Sequence, residues 1–274
     1  MKRLVCLLAI AAFWGAAGSA SGAAPLRYRG EPGRIAVYRL TLSASGEQVS
    51  LGERRPVRLE AEVELREEVL AVSAEGVMQV RATGRALSLR DRTGTFGQSD
   101  GGRWPAVEVS LTPRGEVVAS APAGQVEPGP AARAFAALLA MPAAVVLPEG
   151  PVAVGQSWTW NTEGCHQDNR LIASEDGGRL ARVVSTVRAP VSLREQSPVL
   201  GVSTALTGTL TQTSRLDLDV SQGLVARHRG QMRLETAGEV TLGLPKETVR
   251  NPITSRLTVR FDLRLLRVEQ RGRP

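Results

Sequence analysis

Histidine and cysteine are almost missing. The chain has 274 residues and holds two of each. Metal centres and thiol or imidazole catalysis draw on clusters of these residues, usually with carboxylates nearby. No such cluster is spaced along this chain, and no HExxH, GxGxxG, P-loop or CxxC motif occurs. The sequence is therefore read as non-catalytic, with no catalytic residue, no metal ligand and no cofactor. Aromatic residues are scarce at 4%. They are scattered, and the arginines alternate with acids, so the basic clusters with interleaved aromatics that grip nucleic acid are absent. Lysine is scarcer still, with Lys246 the sole one after the first few residues.

Long apolar runs are missing too, except at the start. Met1-Lys2-Arg3 is followed by an apolar stretch from Leu4 to Ala17 and by small residues from Ser19 to Ala24. That order is expected of a secretory signal peptide over 1–23, cleaved after Ala23, with cleavage after Ala20 as the alternative. The stretch is short for a membrane span, which takes roughly 20 apolar residues. Cys6 lies at its beginning rather than after it, against a lipidation site. The expected mature chain, 24–274, is periplasmic or extracellular and has no transmembrane segment. Losing Lys2 and Arg3 lowers the net charge from +7 to +5, which leaves a weak attraction to anionic surfaces. Cys165 is then the lone cysteine, so no internal disulfide forms.

What is present is alternation. In VRLEAEVEL, Val57, Leu59, Ala61, Val63 and Leu65 share one side and Arg58, Glu60, Glu62 and Glu64 the other. LTVRFDLRL repeats the pattern with Leu257, Val259, Phe261, Leu263 and Leu265. Period two means a strand with one buried and one wet face. Further strands are expected near 35–44, 77–89, 106–111, 180–193, 199–218 and 224–242, separated by glycine turns. The fold class expected is mainly β: a long, curled antiparallel sheet, half-barrel or clam-like. One helix is expected near 131–141, in the alanine- and leucine-rich AARAFAALLAM. The helix and its Pro/Gly linker separate two similar halves, about 30–125 and 150–270. Gly115 and Gly223 mark corresponding hairpin turns in them. This similarity fits either duplication or the general likeness of hairpins. The row Glu60, Glu62, Glu64 and the row Arg256, Arg260, Arg264 would pair if their strands were neighbours.

Candidate sites are few. Trp158 and Trp160 are spaced by two, so both project to one face of a strand. Inward, they are core anchors; outward, they are an aromatic platform for a ligand. With Phe135 and Leu138 of the expected helix they are the candidate ligand-binding residues. Cys165-His166-Gln167-Asp168-Asn169 reads as a loop, with Asp168-Asn169 at a turn, and His228 as a wet strand position.

Leu147, Pro148, Pro151, Val152, Val154, Gly155 and Trp158 form an element L-P-x-x-P-V-x-V-G-x-x-W. It resembles one found in exported bacterial β-rich proteins of unknown function. The wider layout is similar to the half-barrel sheets of bacterial lipoprotein carriers, whose apolar concave face is covered by helix. That likeness implies an exported binding or carrier protein for an apolar ligand, with a lipid or an envelope protein as partner. It implies no catalytic residue. The alternative expectation is a structural or assembly component of the cell envelope.

Overall fold

The computed structural model describes residues 25–91, 106–122, 145–162, 164–197, 202–243 and 248–271. The expected signal peptide and the expected helix at 131–141, with Phe135 and Leu138, lie outside the described residues. Eleven strands follow one another: β1 (Arg34–Ser50), β2 (Glu53–Val72), β3 (Met78–Asp91), β4 (Val107–Leu111), β5 (Val117–Pro122), β6 (Ser157–Thr162), β7 (Cys165–Glu175), β8 (Leu180–Ser197), β9 (Val202–Asp219), β10 (Leu224–Gly243) and β11 (Thr248–Gln270). They form a single antiparallel sheet in the order β5-β4-β3-β2-β1-β11-β10-β9-β8-β7-β6, not closed into a barrel. The first half meanders outward from β1 to the edge strand β5, the second meanders inward from the edge strand β6 to β11, and the β1–β11 ladder joins the two.

The alternation decides the faces. One rung of the ladders reads Ala86, Val63, Leu40, Leu263, His228, Leu216, Val183 and Leu171 from β3 across to β7. All eight are buried, so this is the inner face of the sheet. The neighbouring outer positions carry arginines and acids. Register shifts at Val37/Tyr38, Val69/Ala71, Leu171/Ala173 and Val225/Arg227 lie toward one end of the strands. Such bulges bend the strand and add twist, and here they curl the sheet at that end.

Three expectations change. Residues 165–169 are not a loop: they open β7, with Gln167 and Asn169 buried on the inner face. Their alternation is complete, but its inner members are amides rather than aliphatics. His228 is not wet: it is fully buried, its ring meeting that of Phe261 edge-on at 5.1 Å. The acidic row of β2 and the basic row of β11 are not neighbours, because β1 lies between them. Arg39 of β1 takes Glu62 instead, at 3.1 Å.

The curled end is capped by the stretch preceding β1. The Tyr28 N–H donates to the Pro113 carbonyl at 2.8 Å and the Arg29 N–H to the Gly223 carbonyl at 3.1 Å. Two adjacent residues thereby bind the β4–β5 turn of one half and the β9–β10 turn of the other. Both turns carry a left-handed glycine, Gly115 at φ 90° and Gly223 at φ 65°. A Cβ on Gly115 would come within 2.5 Å of the Tyr28 ring, and one on Gly223 within 2.5 Å of the Arg29 nitrogen. Gly177 has nearly the same φ, 66°, with open space around it. Gly177→Ala should therefore cost only the left-handed penalty, about 1–2 kcal/mol. Gly223→Ala should cost about 1–3 kcal/mol more, because the added methyl meets backbone. Urea unfolding of the two variants measures the difference.

Candidate functional site

A curled sheet with unpaired edges must hold those edges near one another without a backbone ladder. Here a short segment does it. Val145, Val146 and Leu147 are buried between the two halves. On the first-half side the Leu147 N–H donates to the Arg114 carbonyl at 2.8 Å, and Arg114 Nε donates back to the Leu147 carbonyl at 2.9 Å. The Tyr28 hydroxyl donates to the Val145 carbonyl at 2.9 Å. On the second-half side the Val146 N–H donates to Gln167 Oε1 at 2.9 Å, and Trp158 Nε1 donates to the Val146 carbonyl at 2.8 Å. Trp160 reaches directly across: its Nε1 donates to Glu116 Oε1 of the opposite meander at 2.9 Å.

Both tryptophans are half-buried on the edge strand β6. Trp158 packs against the core. They do not form a bare platform: both are half-buried, and each indole N–H fastens the seam. The sequence element that ends in Trp158 thus begins at the segment Trp158 holds, since Leu147 is its first residue. Pro148 and Glu149 are fixed from outside by Arg27, which donates to the Pro148 carbonyl at 2.6 Å and also to that of Glu149.

Burial falls along most strands away from the seam, although Val57 of β2 stays buried. Near it most inner residues are buried, with Leu111 and Leu265 partly so. Farther out, Leu59, Leu89, Leu206, Leu210, Leu234, Leu257 and Val259 occupy the same face and are only half-buried. The inner face is thus a packed core at one end and an apolar lining with exposed area at the other. Cys165 lies at its β7 border, half-buried, and burial pushes its thiol up. His166 points the opposite way, bonded to Asn161 and to Asp168 at 2.9 Å, so the two make no thiolate–imidazole pair. The described residues contain no group of three or more metal-ligating side chains.

Sequence reasoning missed Glu67. The alternation that puts Val57 to Leu65 inward also puts Glu67 inward, between Leu65 and Val69, and that was its signal. Opposite Ala36 and Ala82, it lines a cavity of about 50 Å³ with Tyr28, Tyr38 and Met78. Burial pushes its carboxyl up to about 8, with Arg34 pulling the other way. The same burial raises both tyrosine hydroxyls.

No family model matches this sequence, and no curated protein matches it. Among solved structures, one described as lipid-protein interactions in lipovitellin is similar, with 14% identity and a TM-score of 0.40. The alignment covers 89% of this chain and 26% of that one, so the chain spans about a quarter of its length. Among the described residues, no helix is long and apolar enough to cross a membrane.

Two outcomes follow from this geometry. Trp160→Phe removes only the indole donor, and Glu116→Gln removes the charge that accepts it. Each should lower stability by about 1–2 kcal/mol, and the double mutant should cost less than the sum, since both break one charge-assisted bond. For Glu67, the folded carboxyl keeps its proton up to about pH 8, whereas the unfolded one loses it near 4.5. Between those values the folded state binds more protons, so stability falls as pH rises through this window and levels off above it. Glu67→Gln should flatten that slope and raise the melting temperature most at pH 9. Thermal melts of both proteins from pH 4 to 9 measure it.

Proposed function

We propose that the protein is an exported, non-catalytic binding or carrier protein whose inner sheet face receives an apolar ligand: an acyl chain or the hydrophobic segment of a partner. The observation that carries this reading is the burial gradient on one continuous face. Leucines that keep exposed area in register with a closed core are not satisfied by the sheet itself. Contiguous apolar surface of this kind marks binding sites. Small aliphatic side chains on a curled sheet also fill its interior poorly, and empty space in a core is costly. The signal-like N-terminus supports export to the periplasm or beyond, and the lack of a metal-ligating cluster among the described residues agrees with a passive role. Lipid or an envelope protein is the partner class this chemistry suits. Trp158 and Trp160 belong to the proposal as the clasp that sets the width of the cleft.

A purely structural role in the envelope is the second reading. It is favoured by the short edge strand β5, where Val117 is 53% and Val118 64% exposed beside a backbone edge that no other described strand pairs. Such an edge templates strand addition.

Native mass spectrometry of freshly purified protein, with solvent extraction, distinguishes the two. A carrier yields bound lipid and gains melting temperature with added fatty acids or phospholipids. Leu234→Glu, a half-buried inner position, should abolish that gain while lowering stability by no more than about 1–3 kcal/mol. Absence of bound lipid together with no thermal response would leave the structural reading in place.

A further inference from the structure

The cavity around Glu67 is separate from the open part of the inner face. It lies at the capped end, and Tyr28, Arg29 and Arg34 line both it and a wider groove of about 790 Å³. That groove also touches Glu31, Gln222 and Gln270, so the pocket has a solvent-side mouth. Its wall is chiefly apolar: Val69, Met78, Val80, Leu111, Leu224 and Val225. Three charged groups line it, Arg29, Arg34 and the half-buried Glu67, and Glu67 is the one acid among them. Among the described residues, no hydrogen bond or ion pair reaches the Glu67 carboxyl, although Arg34 attracts it through space. Arg34 itself is engaged elsewhere, donating to the Gln222 carbonyl at 3.0 Å and to that of Arg29.

We propose that this cavity binds a small alkylammonium group, a primary amine or its methylated form, with the Glu67 carboxylate as counter-ion and the rings of Tyr28 and Tyr38 beside it. A volume of about 50 Å³ exceeds the roughly 15 Å³ that one water needs, and it admits a group of a few heavy atoms. An acid in an apolar wall is expensive to ionise alone, and a bound cation offsets that cost. Tyrosine rings and a thioether favour ammonium over a neutral isostere. A metal ion would need more ligands than the single carboxylate here. The charged and titratable groups facing Glu67 are Arg34 and Tyr38 from β1 and Tyr28 and Arg29 from the capping stretch. The other packed elements present only apolar residues to it. Cation binding therefore requires Glu67 to give up its proton, so affinity rises with pH to about 8 and binding at pH 7 releases a proton. This site does not depend on an apolar ligand in the cleft, and its test is independent of that reading.

The full mature chain is titrated with methylammonium, ethanolamine and choline, and with 3,3-dimethylbutan-1-ol as the neutral isostere of choline. Calorimetry in two buffers of different ionisation enthalpy counts the protons. The expected result is saturable binding of at least one ammonium probe, with a dissociation constant of about 1 mM, none of the neutral alcohol, and proton release at pH 7. Glu67→Gln should weaken binding about tenfold or more while raising the melting temperature. Glu67→Leu, the second variant, should lose it equally. Glycerophosphoethanolamine binding more tightly than ethanolamine identifies a lipid headgroup as the source; the reverse order identifies a free amine. Equal binding of the neutral alcohol, unchanged affinity in both Glu67 variants, or no saturable binding of any ammonium probe overturns the proposal, and water is then the cavity's occupant.

Discussion

Everything in this structure depends on how an open sheet keeps its two ends together. A closed barrel does so with a ladder of backbone bonds, and every edge disappears. Here, among the described residues, the edges β5 and β6 do not pair with each other. Three residues, Val145 to Leu147, lie between the halves and are gripped from both sides, through Arg114 and Tyr28 on one and Gln167 and Trp158 on the other. Trp160 and Glu116 add one direct tie. Because the seam is local, it closes only the end of the sheet where it sits. The strands can stay open beyond it, and this produces a face that is core at one end and cleft at the other.

The seam also explains the two buried amides on β7. Gln167 and Asn169 would be misplaced on an aliphatic face, but the Val146 peptide group needs partners. Gln167 accepts its N–H, and Asn169 with Trp158 faces its carbonyl. A backbone segment buried away from its own secondary structure must be satisfied by side chains. The inward amides are thus a requirement of the segment, not a defect of the strand.

The strands with aliphatic inner residues were legible from alternation alone, because hydropathy and geometry share one period in β2 and β11. β7 was hidden for the opposite reason: its inner residues are Gln167 and Asn169, so polarity shows no alternation although the pleat is intact. His228 was misread in the same way, as a polar residue inside a long strand whose parity in fact points inward. Glu67 was legible by parity and lost to chemistry, since an acid is usually placed outside by default. The tryptophans were left between two roles because spacing fixes a face and not a depth. Their position on an edge strand, beside a segment distant in sequence, is set by tertiary contacts that no local pattern encodes.

The pairing of β1 with β11 has a kinetic meaning. These strands lie far apart in sequence, yet they form the centre of the sheet, with Arg34 opposite Gln270 and Ser50 opposite Ile253. Neither meander can dock on the other until the last strand exists, and closing so long a loop is entropically slow. The native sheet cannot form before β11 is present. It folds as one unit, on the millisecond-to-second scale of sheets dominated by non-local contacts. Shortening β11 removes rungs from the centre of the sheet on both of its sides.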